Sequence, residues 1–283
     1  MPYVGLLWGD YVISKKYELN PDGSWKAELQ SQSDDGKKIK LADQFKSLFA
    51  NRPAVIVVIG IFIMYIVQAF RNSSAIYVFN YYFELPDMLT VALTSMTVAS
   101  IVGALAMKPF IKIVGDSNRA YVIWSVACAA VYVAFWALCT SLPFEAAQES
   151  LKHGLLFWLF ILGGFFQGAY YNFAYVMLPM AVDYGVWKFK RNQSGFIYAF
   201  NGFALTAASS VGIALLGIAL SGIGYEEGVN LTSELKSSLI FIGIMVPSLL
   251  TLGHAVIQAF FGLNDKKYKE ILAELQEGDA VVE

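Results

Sequence analysis

An all-α membrane protein with six transmembrane helices is the fold class this sequence predicts, and three observations carry it. The 283 residues are 57% hydrophobic and only 15% charged, whereas a soluble domain has about 25% charged residues. Mean hydropathy is +0.54. The apolar residues gather into charge-poor stretches, and about 20 such residues cross the ~30 Å hydrocarbon core as a helix. In lipid the backbone has no water to bond, so these stretches must satisfy themselves as helices. The alternating ten-residue strands of an outer-membrane barrel do not appear.

In order, the predicted spans are roughly residues 53–79, 88–110, 120–140, 155–177, 195–220 and 239–261. The 52 residues before them differ in kind. Residues 1–14 are apolar but too short to span, and they lack the basic start and cleavage site of a signal peptide. Residues 20–40, with Pro21 and Gly23, read as a flexible loop. Residues 41–51 read as a short amphipathic helix with Leu41, Phe45, Leu48 and Phe49 on one face. After the last span, Asn264 is a cap candidate, and Tyr268, Ile271, Leu272 and Leu275 follow at helical spacing. The chain therefore divides into a loop-like segment (1–52), a six-helix transmembrane part (53–262) and an amphipathic tail (263–283).

Orientation follows from lysine and arginine. Six spans put the amino-terminal segment, the 111–119 and 181–194 loops and the tail on one side. That side holds seventeen of the 20 basic residues; the opposite loops hold Lys152 and Lys236, and Arg71 lies inside a span. Positive residues stay in the cytoplasm, so both termini are expected there, with the chain integral to the plasma membrane, a bacterial inner membrane being the expected one. The net charge of −2 and its spread give no nucleic-acid patch.

Enzyme chemistry finds no support. Cys128 and Cys139 stand eleven residues apart in one span, about 16 Å along a helix, too far to bridge. His153 and His254 make no clustered ligand set with them. No phosphate loop, dinucleotide fingerprint or nucleophile elbow occurs. No enzyme activity, metal site or cofactor is expected.

Polar groups within spans say more, because each is costly in lipid and must face protein or water. Arg71 lies in the first span with Gln68 and Asn72 near it and Tyr65 one turn further back. It reads either as a cavity-lining group for a substrate hydroxyl or carboxylate, or as an arginine snorkelling to the outer surface. In the fourth span Gln167, Tyr171 and Tyr175 recur every four residues, and Gly164 and Gly168 form a small-xxx-small pair. Aromatic rings beside amides suit sugars, which stack by their C–H faces and bond by their hydroxyls; packed tyrosines are the bland reading. The fifth span is rich in small residues, with Tyr198, Asn201 and Thr206 as its polar points.

Between the fourth and fifth spans lies a polar cassette of Asp183, Tyr184, Gly185, Trp187, Lys188, Arg191 and Gly195, followed by Tyr198, Phe203 and Gly222-Ile223-Gly224-Tyr225. It resembles the segment linking the tenth and eleventh helices of the glycoside–pentoside–hexuronide:cation symporters, a branch of the major facilitator superfamily. The run 69–82 resembles the seventh helix of that family, and 264–275 and Pro247 resemble its tail and last helix. The likeness covers most of residues 45–277. It implies one half of a major facilitator fold, a 3+3 inverted repeat, and specifically the carboxyl-terminal half. It also implies secondary transport of a sugar or glycoside by alternating access. On this reading Gln68, Arg71, Asn72, Gln167, Tyr171, Tyr175, Tyr198, Asn201 and Thr206 line the substrate path. Asp183, Lys188 and Arg191 form a cytoplasmic gate of ion pairs.

Departures from the family pattern bear on coupling. Met180, Val186 and Ser194 stand where acids are common, and Thr206 stands where the eleventh helix commonly carries a basic residue. The resemblance places a Na+ or H+ site mainly in an amino-terminal half. Partners expected are the lipid bilayer, a small polar solute such as a sugar, and a second six-span half or a homodimer. The alternatives are a transport-dead or accessory six-span protein, or a carrier of lipid-like amphiphiles. The chain reads as a fragment, a split half or a complete protein with equal ease.

Overall fold

The structure, a computed structural model, describes residues 41–189, 194–226 and 231–280, the side chains of 41–44, 47 and 277–280 apart. Among the described residues the order is α1 (Leu41–Ala50), α2 (Arg52–Tyr77, continued by a π turn over Val78–Tyr82), α3 (Pro86–Val114), α4 (Ser117–Ser141) and α5 (Phe144–His153). Then come α6 (Leu155–Phe189), α7 (Ser194–Gly222), α8 (Ser233–Ile240, running through a second π turn, Phe241–Met245, into α9, Val246–Ala259) and α10 (Asp265–Ala280). No strand occurs among them. Five helical segments are long and apolar enough to cross a membrane, and the bent pair α5–α6 makes a sixth.

Local sequence fixes the helix ends. Asn51 caps α2, its Oδ1 accepting from the Ala54 N–H at 3.2 Å, and Pro53 occupies a first-turn position where its missing N–H costs nothing. Gly115, in the left-handed region at φ 80°, closes α3 by donating its N–H to the Ile111 carbonyl at 2.8 Å. Asp116 then caps α4 through the Arg119 N–H at 2.8 Å.

Packing repeats itself. Helix α3 lies on α6, and α2 lies on α7; α4 lies on α6 as α9 lies on α2, and α4 and α9 meet each other. Exchanging α2 with α6, α3 with α7 and α4 with α9 maps the first four of these contacts onto one another in pairs and the α4–α9 contact onto itself. Spans one and four cross in opposite senses, so this is a 3+3 inverted repeat. Both equivalent crossings are made by glycine. A Cβ on Gly103 would meet the Phe165 carbonyl oxygen at 1.8 Å, one on Gly168 the Ser100 oxygen at 1.9 Å, and one on Gly212 the Ile66 oxygen at 2.6 Å. Helices α3 and α7 are the least buried of the five straight spans.

Two expectations are corrected. The fourth span does not end in a loop at 181: α6 stays helical to Phe189, 35 residues in all, about 52 Å at 1.5 Å per residue and so roughly 20 Å longer than the hydrocarbon core. The connection before it, read as a loop, holds a helix, α5, bent by 56° from α6 at Gly154. In α1, Leu48 is buried and Phe45 meets the rings of Phe196 and Phe200, while Phe49, one turn on from Phe45, is exposed.

Candidate functional site

The inner surfaces of α2, α4 and α6 enclose a polar cluster in an otherwise apolar layer. Arg71 of α2 does not snorkel: it is 5% exposed and turned toward α4 and α6. Its Nη1 donates to Gln167 Oε1 at 3.2 Å, and the Tyr132 hydroxyl donates to the same oxygen at 2.8 Å. Gln167 Nε2 in turn donates to the Tyr171 hydroxyl at 2.8 Å. The guanidinium carbon stands 4.0 Å from the Tyr132 ring centroid. Gly163 makes room for that ring, since a Cβ there would approach Tyr132 Cζ at 2.7 Å.

Magnitudes show that the cluster is incompletely satisfied. A buried ion costs several kcal/mol after relaxation, while a ring face returns about 0.5–2 kcal/mol and a hydrogen bond to a charged group about 1.5–3 kcal/mol. Arg71 Nε and Nη2 are buried and find no partner among the described residues. Arg71 is also among the residues lining a mostly apolar cavity of about 20 Å³, with Asn72, Ser74, Tyr132, Phe160 and Gly243, room for about one water-sized group. The second π turn reaches this place: the Ser74 hydroxyl bonds the Gly243 carbonyl at 3.2 Å.

Not every residue read as path-lining joins the cluster. Gln68 is half-buried and Asn72 exposed beside it. Tyr175 is exposed, and its hydroxyl bonds that of Tyr65, tying α6 to α2 a turn or two from the cluster. On α7, Tyr198 is exposed, Asn201 is buried with Oδ1 unpartnered among the described residues, and the exposed Thr206 bonds the Gly202 carbonyl at 3.3 Å. Tyr132 went unread in the sequence. Its signal was its spacing of four from Cys128, which puts both on one face of α4.

At the end carrying α1 and α10, Asp183 projects from α6 and accepts from the Tyr268 hydroxyl of α10 at 2.6 Å. Burial and the Asp183 charge both push the Tyr268 phenol well up, so it remains a donor. Trp187 Nε1 donates to Glu274 Oε2 at 2.6 Å, and Asp265 Oδ2 accepts from the Ser117 N–H and hydroxyl at 3.1 and 2.8 Å. The tail thus fastens α4 to α6. Lys188 stands about 140° round the helix from Asp183 and reaches the Tyr184 hydroxyl at 3.3 Å; Arg191 lies outside the described residues. At the same level of α6 but on its opposite face, two residues from Asp183, α2 starts: Asn51 Nδ2 donates to the Ala181 carbonyl at 2.9 Å. A Cβ on Gly185 would strike that nitrogen at 2.6 Å.

His254 sits fully buried between the rings of Tyr121 and Tyr170, centroids 5.2 and 5.3 Å away, with Tyr121 Oη 3.5 Å from its Nε2. No group of three or more His, Cys, Asp or Glu is placed to hold a metal among the described residues.

Apolar spans around a buried polar cluster define an integral membrane protein. The chain belongs to the MFS/sugar transport protein family, whose pattern matches residues 23–265, in agreement with the resemblance to the glycoside–pentoside–hexuronide symporters. It is 24% identical over 255 residues to the uncharacterized symporter YnaJ of Bacillus subtilis, covering 87% of this chain and 50% of that one. With the isoprimeverose transporter of Lactiplantibacillus pentosus it shares 24% identity over 86% of this chain and 48% of that one. With the inner membrane symporter YicJ of Escherichia coli it shares 24% over 74% and 43%. The chain spans about half the length of the curated relatives it matches.

Proposed function

We propose that this chain is the carboxyl-terminal half of a symporter that moves a sugar or glycoside across the plasma membrane by alternating access. The observation that carries the reading is the hydrogen-bonded set Arg71–Gln167–Tyr132–Tyr171, which links spans one and four inside the lipid layer. Polar groups there are expensive, and rings beside amides are the chemistry that grips a sugar. The family and a relative named for isoprimeverose support the substrate class. In this reading Gln68, Arg71, Asn72, Gln167, Tyr171, Tyr175, Tyr198, Asn201 and Thr206 border the path. Asp183, Lys188 and Arg191 act at the cytoplasmic gate, which the tail joins through Tyr268. Both termini face the cytoplasm. The scarcely buried faces of α3 and α7 meet a second six-span half or a second copy.

Alternating access then rests on the glycine crossings. Where backbones touch without interposed side chains, helices can rock with little repacking. The test is accumulation of labelled glycosides and pentosides by cells that express the chain in its own genetic setting. Uptake of at least one sugar, lost in Tyr171→Ala with protein level retained, is the expected result. No uptake above cells lacking the chain would sink the reading.

A further inference from the structure

Glu84 holds a backbone conformation that a side chain disfavours. Among the described residues it is the one non-glycine in the left-handed region, at φ 54°; Gly115, Gly224 and Gly262 are the others with positive φ. It follows the π turn Val78–Tyr82 by two residues, and the Leu85 N–H closes this helix end by donating to the Phe79 carbonyl at 2.9 Å. Inside the turn Asn80 Oδ1 is buried with no partner among the described residues. A rare helix form, a left-handed glutamate and an unsatisfied amide oxygen thus crowd together between residues 78 and 84.

Contacts from two other elements offset these costs. The Lys236 ammonium of α8 donates to Glu84 Oε1 and lies 4.6 Å from the centre of the Phe144 ring of α5. Gln148 of α5 donates to the Phe83 carbonyl at 2.6 Å. Just beyond Lys236, span six carries its own π turn, Phe241–Met245, and the two turns touch. A Cβ on Gly243 would meet Val78 Cγ2 at 2.5 Å, and the Gly243 carbonyl accepts from Ser74 Oγ at 3.2 Å. A π turn bonds i→i+5 where an α-helix bonds i→i+4, so it stores one surplus residue. The nearest exit for that residue in span one is the helix end at Glu84, and Lys236 holds it.

We propose that Glu84 and Lys236 are a latch at the end of the bundle opposite α1 and α10, whose release lets the two π turns rewind together and opens that end of spans one and six. The pair is weak by itself, for the Glu84 side chain is 54% exposed and that of Lys236 23%. Weakness suits a latch, since a strong pair would not let go, and the strained backbone beside it drives the release. The turns also reach inward, because Val78, Phe79 and Gly243 line the small apolar cavity that Arg71 lines. Opening does not depend on cargo, so the latch stands whether or not the cargo is a sugar.

The experiment is amide hydrogen exchange, resolved by peptide, on the full chain in lipid nanodiscs without added solute. Wild type is compared with Glu84→Gln, Lys236→Gln, the double variant and Glu84→Gly. Exchange at residues 78–85 is expected to quicken about fivefold in either glutamine variant, which is about 1 kcal/mol, the upper end for an exposed pair. Residues 241–246 quicken with them, while 120–130 of α4 stay within twofold of wild type. The double variant exchanges no faster than the singles, because the two residues act on each other. Glu84→Gly removes the strain along with the pair and exchanges more slowly than Glu84→Gln. Unchanged exchange at 78–85 in both single variants overturns the proposal. So does a gain confined to 78–85, which makes the pair a local tie, or one shared by 120–130, which is general loosening. Effects that multiply in the double variant overturn it too, as does Glu84→Gly exchanging as fast as Glu84→Gln. Should the glutamine variants not fold, wild type decides by salt: raising ionic strength from about 0.05 to about 1 M screens the pair and must quicken 78–85 and 241–246 together. No uptake is read, so failure here leaves the sugar path standing, and failure of the sugar path leaves the latch.

Discussion

Gln167 is the residue through which the buried cluster is connected. One amide accepts from Arg71 and Tyr132 and donates to Tyr171, which satisfies three neighbours that lipid would leave bare. Replacing it by leucine keeps the volume and removes the acceptor. Each buried donor so orphaned costs about 1–3 kcal/mol, and here a charged one is among them. Gln167→Leu is therefore expected to lower the melting temperature in detergent clearly, whereas Gln167→Glu keeps the acceptor and supplies Arg71 with an anion. Equal melting of Gln167→Leu and wild type would mean that water or lipid already serves these groups. The sequence set Gln167 and Tyr171 one turn apart, but it did not bring Arg71 and Tyr132 to the same amide. Gln167, Tyr171 and Arg71 stood out as polar letters in apolar runs, but tyrosines such as Tyr132 are common in such runs. Its distinction is three-dimensional, lying in what Gly163 lets it touch.

Among the elements, the spans were legible because hydropathy is set by composition, and lipid permits no backbone choice but helix. Their ends were less so. Lys188 and its basic neighbours mark where α6 leaves the apolar layer, not where it stops being a helix, and hydropathy alone cannot separate the two. Helix α5 went unread for a related reason, since its ten residues mix Glu145, Gln148, Glu149 and Lys152 with a buried pair, Ala147 and Leu151. The small-residue pair Gly164 and Gly168 was readable; its partner Gly103 was not, because touching backbones are a property of two helices. Substitution separates packing glycines from idle ones. Gly168→Ala puts a methyl 1.9 Å from a carbonyl oxygen, and overpacking of this kind costs about 1–3 kcal/mol or more. Gly217→Ala meets nothing within 4 Å and removes a flexible residue from α7, a gain of up to about 1 kcal/mol. Thermal unfolding of the two variants should therefore move in opposite directions. Parallel shifts would show that the α3–α6 crossing relaxes freely.

The whole molecule joins these parts through its symmetry and its charge. Six crossings in two inverted triplets return the chain to the side where it entered, so α1 and α10 share a face, and there the tail fastens α4 to α6. The sequence reading expects seventeen of the 20 basic residues on that side, and the positive-inside rule then predicts that it is cytoplasmic. Cysteine labelling checks this with little background, since the two native cysteines, Cys128 and Cys139, are buried. His153 and Ser233 are exposed at one end, and Lys112 and Lys266 at the other. In intact cells an impermeant maleimide should label His153→Cys and Ser233→Cys but reach Lys112→Cys and Lys266→Cys only after permeabilisation. The reverse pattern would invert the chain, placing Asp183 and its tail contact outside and depriving the cytoplasmic gate of its residues. Labelling of all four in intact cells would argue against a fixed crossing, and with it against the two-triplet symmetry that brings Arg71 of span one to Gln167 of span four.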